Sequence, residues 1–433
     1  MRKSMHLFEP ELDGSHRRTE GMLRLMVYSH DSFGLGNIRR MLAICEHLHA
    51  SMRGVSILVI SGSPMLHTFR VSPGIDYIKL PCLRRTEDGD LDVRFLDLDL
   101  SEIVRLRREL ILSAVQSFRP DVVLVDKMPD GLAGELRPSL RRLKSKLPES
   151  KVLLVLRDIL DSRQRTTQIW RERRYYDIVQ SYFDGVLVMG DPDLFDVRTE
   201  YDFPDALRDK VWFCGYLAKN EPCRPCAEVR EELHVSPDEN LVLVTTGGGE
   251  DGCQLLENYL RGLEGRAAEQ RIKSLIVTGP DLPPAKTQMI RRLAQTQSGV
   301  RVLDFTDDMQ SYTNAADVIV SMAGYNTICE ILTLRKRAVV VPRVYPGEEQ
   351  RIRAERMSQL SLFKMILPCD LSPQALMGAV TDQIDLLRAG AAGPPSIDLG
   401  ALPRVTGILA ELMGKKTRAA SGGADELEPA LAL

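Results

Sequence analysis

Short apolar runs rich in β-branched residues alternate along the chain with longer segments of helical periodicity. Runs of this kind are typical of buried parallel strands, and helices between them indicate βαβ units. Helical patterns such as Ile38–His49 and Ile103–Phe118 separate many of the runs. The predicted strands are Leu23–Ser29, Val55–Ile60, Val122–Val125, Val152–Leu156, Gly185–Met189, Leu241–Thr245, Ser274–Val277, Val302–Phe305, Val318–Ser321 and Ala338–Val341.

The number of strands predicts more than one sheet. A single sheet of ten or more strands would be unusual, so we expect an α/β protein with two doubly wound parallel sheets of the Rossmann type. A stretch rich in proline and charge, residues 219–240, is the predicted linker between domains at 22–218 and 241–414. The ends, 1–21 and 415–433, lack sustained periodicity and are predicted to be disordered tails.

Composition excludes several classes of function. Of the 433 residues 27% are charged, but the net charge is only −3, so nucleic acid is not an expected partner. No apolar run approaches the roughly 18–20 residues that span a bilayer, and the N-terminal segment lacks the apolar core of a signal peptide. Eight cysteines are too dilute for a disulfide scaffold, which makes a reducing cytoplasm the expected compartment.

The loop after the first strand, HDSFGLGN, carries two glycines before a helix. Such glycines let backbone amides approach a ligand, and the helix N-terminus favours anions. A plain tight turn is the alternative. A dinucleotide fingerprint would need glycine where Arg39 stands, so a nicotinamide is disfavoured and no cofactor is expected. His30 and Asp31 are the candidates for catalysis, and Gly34, Gly36 and Arg39 are the candidates for binding an acceptor. In the structural alternative, His30 only ends the strand, Asp31 caps a turn, and Arg39 belongs to a solvated helix face.

A second strand, glycine loop and helix open the C-terminal half, where Leu241–Thr245 runs into TGGGEDG. The loop lacks the Lys-Ser/Thr ending of a P-loop, which disfavours a Walker-type ATPase. Gly247 and Gly248 are candidates to hold a diphosphate on their amides. The acidic pair Glu250 and Asp251 counts against dense phosphate charge at this loop.

Charged residues follow two predicted strands of the first half, at the edge where doubly wound sheets bind ligands. Asp126 and Lys127 follow one strand, and Arg157 follows the next. They predict an acceptor pocket in which Lys127 or Arg157 meets an anionic group. A structural Asp–Lys or Asp–Arg pair is the alternative.

Two further patterns favour structure over chemistry. Asp97 and Asp99 lie in an acidic alternating run and predict an exposed segment or edge strand rather than a metal-binding D-x-D. Cys223 and Cys226 have neither a second cysteine pair nor a nearby histidine. We therefore expect no metal site.

The strand ADVIVS is followed by Gly324, Tyr325 and Asn326, and a helix is predicted to begin near Thr327. Thr327 and Glu330 have the spacing of a capping box, which would give Glu330 a structural role. In the functional alternative, this carboxylate accepts two hydrogen bonds from a ribose diol. The spacing leaves both interpretations open.

The segment from Phe305 to Arg356 resembles the donor half of GT-B glycosyltransferases of family 28, and the lipid II N-acetylglucosaminyltransferases among them. Their pattern reads roughly F-x-x-x-M, A-D-x-x-x-x-x-A/S-G, T-x-x-E and P-x-x-x-x-x-x-Q. The N-terminal half resembles the same superfamily more loosely and a group of predicted glycosyltransferases more closely, through the stretches YSHDSFGLGNIRR, VDKMPDGLAGEL and LRDILDS. The matching C-terminal residues are Phe305, Met309, Ala316, Asp317, Ala323, Gly324, Thr327, Glu330, Pro342 and Gln350.

The resemblance implies a GT-B fold whose second domain binds a nucleoside diphosphate sugar, with uracil the usual base. Backbone amides and a helix N-terminus would stabilise the leaving diphosphate without a metal. Thr306 and Met309 would lie at the base, Glu330 at the ribose, and Gly324, Tyr325, Asn326 and Thr327 at the diphosphate, while Glu349 and Gln350 would face the sugar unless they form an exposed helix start.

One departure from the family bears on catalysis. Relatives commonly carry histidine where this chain has Asn37, and an amide cannot remove a proton at neutral pH. His30 and Asp31 are the nearest substitutes. The resemblance implies glycosyl transfer to an unknown acceptor. It leaves open an epimerase or hydrolase of the same fold, or a nucleotide-sugar-binding protein without turnover.

Overall fold

The computed structural model describes residues 22–30, 36–86, 90–218, 223–249, 251–264 and 271–414. Two candidate residues of the first loop, Asp31 and Gly34, lie outside these residues, as do Glu250, part of the predicted linker and both predicted tails.

The N-terminal half folds around a parallel sheet. Its helices are α1 (Gly36–Ser51), α2 (Leu100–Phe118), α3 (Arg137–Lys146), α4 (Arg163–Glu172), α5 (Tyr175–Tyr182), α6 (Val197–Glu200) and α7 (Asp205–Arg208). Its strands are β1 (Leu23–Ser29), β2 (Val55–Ser61), β3 (Ile75–Lys79), β4 (Leu83–Arg85), β5 (Leu91–Val93), β6 (Val122–Asp126), β7 (Lys151–Arg157), β8 (Gly185–Met189) and β9 (Val211–Phe213). Within the described residues the sheet order is β3–β2–β1–β6–β7–β8–β9, and β4 and β5 form a separate hairpin.

The C-terminal half repeats this architecture. Its strands are β10 (Asn240–Thr245), β11 (Ile272–Val277), β12 (Val300–Leu303), β13 (Val318–Ser321), β14 (Arg337–Val340) and β15 (Lys364–Met365). Its helices are α8 (Cys226–Glu232), α9 (Cys253–Leu263), α10 (Pro284–Gln295), α11 (Met309–Ala315), α12 (Tyr325–Thr333), α13 (Glu349–Gln359), α14 (Pro373–Arg388) and α15 (Ala401–Leu412). In the described part of this half the parallel order is β12–β11–β10–β13–β14–β15.

Both sheets reverse their winding direction next to their first strand. The chain moves outward from β1 to β3 and then returns to place β6 beside β1, and β13 lies beside β10 in the same way. Ligands of doubly wound sheets bind at such switch points, beyond the carboxyl ends of the strands. The predicted α/β class with two Rossmann-type parallel sheets is confirmed, and the loops after β1, β6, β10 and β13 are where a ligand site is expected.

The C-terminal helix α15 returns to the first sheet. It packs on α1, Leu217 pairs with Gly400, and Arg404 Nη1 donates a hydrogen bond of 2.7 Å to the Cys214 carbonyl oxygen. The domain limits 22–218 and 241–414 stay predictions, although α15 lies within the second range and packs on a helix of the first. Among the described residues, we find no helix with the length and apolarity to cross a bilayer.

Candidate functional site

The first turn of α1 brings the two halves of the chain together. The Gly36 carbonyl oxygen accepts a hydrogen bond of 2.9 Å from Asn326 Nδ2, which belongs to the first turn of α12. Asn37 is half-buried, and its Oδ1 lies 3.3 Å from Arg40 Nη2. Because Gly36 follows β1 and Asn326 follows β13, the contact joins the switch points of the two sheets.

A buried cluster lies beneath this contact. Arg40 Nη2 donates to Asp126 Oδ1 at 2.5 Å, with the two side chains 1% and 0% exposed, and His30 Nδ1 lies 3.8 Å from Asp126 Oδ2. Burial lowers the pKa of His30 to about 4, although the Asp126 charge opposes this change. His30 is therefore neutral at pH 7, which is the protonation state a general base needs.

Asp126 forms a structural Asp–Arg pair, one of the two alternatives that the sequence left open, and its partner is Arg40. Its carboxylate bonds to Arg40, and neither Lys127 nor Arg157 forms an ion pair with it among the described residues. Lys127 adopts a left-handed backbone conformation with φ of 60°, and Arg157 Nη2 lies 3.9 Å from Glu349 Oε1. Arg157 therefore faces a carboxylate of the C-terminal half, and Lys127 lies at the end of the neighbouring strand β6.

Glu349 and Gln350 lie at the buried start of α13. The interpretation of these residues as an exposed helix start is wrong, since they are only 5% and 8% exposed. Arg343 Nη2 donates to Glu349 Oε1 at 2.6 Å, and the Arg343 amide donates to Gln350 Oε1 at 3.2 Å. The loop after β14 therefore holds both side chains in place.

The charge state of Glu349 follows from its guanidinium neighbours. Burial alone would raise its pKa, but Arg157, Arg343 and Arg353 outweigh burial and lower the pKa to about 2. Sequence reasoning missed Arg343, even though it follows the apolar run AVVVP, where the same rule that singled out Lys127 and Arg157 applies.

The glycine loop after β10 lies beside the first turn of α12. Gly249 has φ of +100°, and a Cβ there would lie 2.4 Å from the Thr278 carbonyl oxygen, so the turn requires glycine. A Cβ on Gly247 would lie 3.9 Å from Thr327 Oγ1. Gly248 accepts a hydrogen bond of 2.8 Å from the Asp281 amide. The loop thus presents backbone next to the N-terminus of α12.

The start of α12 corrects one prediction. The helix begins at Tyr325 with Gly324 as its N-cap, so Thr327 lies inside the first turn and does not cap the helix. The capping-box interpretation of Thr327 and Glu330 is therefore wrong. Glu330 is buried six residues beyond Gly324. Gly324 is half-buried, and a Cβ there would meet no atom within 4 Å among the described residues.

Tyr325 has a structural side chain. Its hydroxyl donates a hydrogen bond of 2.9 Å to the Met189 carbonyl oxygen, and its ring stacks on Tyr216 with 6.0 Å between the centroids. Since the side chain is buried between the two halves, only the backbone of Tyr325 is available to a ligand at the helix N-terminus.

The remaining candidates lie around the loop after β12. Phe305 is 51% exposed. The guanidinium of Arg39, which belongs to α1 in the N-terminal half, lies 5.9 Å from the centroid of the Phe305 ring. Thr306 Oγ1 accepts a hydrogen bond of 3.0 Å from the Asp308 amide, and Met309 begins α11. Their roles at a base stay predictions, as do the roles of all donor-site residues.

The acidic run with Asp97 and Asp99 and the pair Cys223 and Cys226 were both interpreted as structural. Asp99 caps α2 in a reciprocal capping box with Glu102, and Cys226 begins α8. Within the same residues, no group of three or more histidine, cysteine or acidic side chains is arranged to hold a metal ion.

The two facing Rossmann-type sheets define a GT-B fold. The chain resembles MurG of Acinetobacter baumannii, with a TM-score of 0.54 and 15% identity over 90% of this chain and 99% of that one. It also resembles a putative UDP-N-acetylglucosamine 2-epimerase from Listeria monocytogenes, with a TM-score of 0.59 and 13% identity over 90% of this chain and 97% of that one. At these identities the likeness shows the fold alone.

Within that fold, residues 241–386 match the model of the glycosyltransferase family 28 C-terminal domain. An uncharacterised glycosyltransferase of Methanopyrus kandleri is 26% identical over 216 residues, which is 49% of this chain and 56% of the relative. The UDP-N-acetylglucosamine–N-acetylmuramyl-(pentapeptide) pyrophosphoryl-undecaprenol N-acetylglucosamine transferase of Clostridioides difficile is 24% identical over 180 residues, which is 41% of this chain and 43% of the relative. The chain thus spans about half the length of these relatives, and the resemblance inferred from its motifs is confirmed.

Proposed function

We propose that this protein is a glycosyltransferase that moves a sugar from a nucleoside diphosphate sugar, with UDP the expected nucleotide, to an acceptor held by the N-terminal domain. The observation that supports the proposal is the hydrogen bond from Asn326 to the Gly36 carbonyl oxygen, which lies beside the glycine loop after β10. Through this contact the N-terminus of α12, within the segment that matches the family 28 model, lies next to the first residue of α1 in the N-terminal half.

The proposed donor site uses backbone more than side chains. The N-terminus of α12 and the amides of the Gly247–Gly249 loop carry partial positive charge, which suits a diphosphate. Glu330, buried further along α12, is the proposed partner of the ribose hydroxyls. Glu349 and Gln350, held by Arg343, are the proposed partners of the sugar.

In the proposed reaction an acceptor hydroxyl oxygen bonds to the anomeric carbon while the bond from that carbon to the diphosphate oxygen breaks. The diphosphate leaves with the bonding electrons, and the amides at α12 stabilise its charge. His30 takes the proton from the acceptor hydroxyl, since it is neutral and lies at the end of β1 next to Asp126. In this assignment His30 takes the role of the histidine that relatives commonly carry at the position of Asn37.

Nucleotide binding tests the donor site. Thermal-shift and calorimetric titrations of the full chain with UDP, dTDP, GDP, ADP and UDP-sugars should single out UDP, and a ligand at 100 times its dissociation constant adds roughly 2.7 kcal/mol of stability. Glu330→Gln should weaken binding about 10-fold or more, because the carboxylate no longer accepts two charge-assisted hydrogen bonds.

The matched control is Glu257→Gln, which alters a partly exposed carboxylate on α9 that pairs with Arg261 in the same half of the chain. It should leave UDP affinity unchanged. A folded protein that responds to no nucleotide would overturn the proposal. Release of UDP from a UDP-sugar at the same rate with and without any acceptor would favour the hydrolase or epimerase alternative.

A further inference from the structure

Three cations line the cleft between the domains, and we call Lys127, Arg157 and Arg343 the cation cluster. Lys127 and Arg157 follow the adjacent strands β6 and β7, where the Lys127 amide donates to the Val155 carbonyl oxygen at 2.9 Å. Arg343 approaches from the loop after β14. Parallel strands end at one edge of a sheet, so the cluster faces the opening where substrates of this fold react.

The cluster carries more positive charge than its own carboxylates balance. Glu349 accepts from Arg343 at 2.6 Å and lies 3.9 Å from Arg157. Arg343 also reaches Asp251 at 3.4 Å. Lys127 forms no ion pair within 4 Å of its ammonium group in the described parts of the chain. Among the described residues, the three cations of the cluster therefore face two carboxylates, Glu349 and Asp251, within ion-pair distance.

Other cations near the cluster are already neutralised. The Arg40 guanidinium bonds to Asp126, and the Arg353 guanidinium bonds to Asp158 in a buried pair. The cluster differs because its side chains remain accessible, with Arg157 18% and Arg343 28% exposed. The Nε atoms of both are buried and have no hydrogen-bond partner among the described residues. These donors are fixed in place and incompletely used.

Two features of Lys127 support a role in binding. A left-handed backbone with φ of 60° is uncommon outside glycine and concentrates at functional sites. Burial, reinforced by the charge of Arg157, lowers the pKa of Lys127 to about 8. An anion placed between Lys127 and Arg157 would offset this loss of solvation, which a neutral ligand would not do.

We propose that the cation cluster binds an anionic group, a carboxylate or a phosphate, carried either by the sugar that is transferred or by the acceptor. The inference rests on the proposed function, because it takes the cleft as the place where donor and acceptor meet. It narrows the substrate to an acidic sugar or an acidic acceptor.

The first experiment compares UDP-glucose with UDP-glucuronate, which differ by one carboxylate, in calorimetric titrations of the full chain. Inorganic phosphate is then titrated in the presence of saturating UDP-glucose. A preference for UDP-glucuronate of about 10- to 100-fold places the charge on the transferred sugar. Equal donor affinities with saturable phosphate binding place it on the acceptor.

Variants assign either signal to the cluster. Lys127→Gln and Arg157→Gln should each abolish the discrimination or the phosphate binding while UDP still binds. The matched control is Lys151→Gln, at the opposite end of β7. It should behave as wild type. Equal affinities for the two donors without phosphate binding would overturn the inference. So would a preference for the anion that survives Lys127→Gln. A wild-type protein that does not bind UDP would instead overturn the proposed function itself.

A pH series separates binding from a structural role. The charged groups that act on Lys127 among the described residues are Arg157, Glu349, Asp126 and Arg40, and His30 also faces it, while burial lowers the pKa of Lys127 itself to about 8. Anion affinity should therefore fall as pH rises from 7 to 9, and this fall should be absent in Lys127→Gln. An affinity that is flat over this range in the wild type would contradict a role for the charged ammonium group.

Discussion

Arg353 and Asp158 form a buried, bidentate ion pair between the two halves of the chain. Arg353 Nε lies 2.7 Å from Asp158 Oδ2, Nη2 lies 2.6 Å from Oδ1, and both side chains are 1% exposed. Tyr216 donates to the same carboxylate at 3.1 Å, and Arg353 donates to the Ala323 carbonyl oxygen at 2.8 Å. The pair fastens the loop after β7 to α13 and to the residues that precede α12.

We expect Asp158→Asn to lower the free energy of unfolding by about 3–5 kcal/mol, because it leaves the Arg353 charge buried without its carboxylate. Urea unfolding followed by tryptophan fluorescence measures the change. The control is Glu200→Gln, which removes a second contact between the halves, the pair of Glu200 with Arg356 at 3.1 Å. That pair is partly exposed and should contribute less than about 1 kcal/mol. Equal losses in the two variants would contradict a special role for the buried pair.

Glu349 should make stability depend on pH in the acid range. Its folded-state pKa is lowered to about 2, so the carboxylate stabilises the fold above its ordinary pKa of 4.5, and this contribution disappears as pH falls through 2. Glu349→Gln should therefore cost about 3 kcal/mol near pH 7, with a difference from wild type that shrinks below pH 4.5.

The control for this prediction is Glu355→Gln on the same helix. Glu355 pairs with Arg351 at 2.7 Å and is 34% exposed, so its loss should change stability by less than about 1 kcal/mol. Unfolding titrations at several pH values test both variants. A difference between wild type and Glu349→Gln that stays constant down to pH 2 would refute the ion-pair explanation.

Two alanine substitutions should have opposite effects. Gly249→Ala places a Cβ 2.4 Å from the Thr278 carbonyl oxygen on a backbone with φ of +100°, so we expect a loss of more than about 1 kcal/mol and weaker nucleotide binding. Gly378→Ala lies within α14, where a Cβ meets no described atom within 4 Å. It should raise stability by roughly 0.5–1 kcal/mol. Melting curves with and without UDP compare the stability and the UDP binding of the two variants. If Gly249→Ala binds UDP as the wild type does, the loop is not part of the donor site.

The central strands could be predicted from the sequence because the signal for a buried strand lies within the strand itself. A parallel strand covered on both faces is a continuous apolar run, and β1, β8 and β13 have the bounds that were predicted. Edge strands lack that signal. β3 reads IDYIK with polar residues facing out, and β15 has only two residues, so neither was predicted.

Candidate residues at strand ends were predictable for the same reason, since topology alone puts them at the cleft edge. Their partners were not. Asp126 pairs with Arg40, 86 positions away, and Asp158 pairs with a residue 195 positions away. No periodicity connects such residues. The helix start at Tyr325 was misplaced because the Thr327 and Glu330 spacing imitates a cap, whereas Gly324 performs that role.

His30 offers the sharpest test of the catalytic assignment. Because burial lowers its pKa to about 4, a reaction that uses neutral His30 as base should show kcat/KM that is flat from pH 7 to pH 5 and falls as pH drops through 4. His30→Gln should reduce turnover about 10²- to 10⁴-fold and leave UDP affinity intact. Release of UDP in the presence of acceptor measures both effects. His47→Gln, which alters a histidine of α1 next to Ser51, is the control and should keep wild-type turnover. Unchanged turnover in His30→Gln, or a fall in kcat/KM centred near pH 6.5, would move the base to another group.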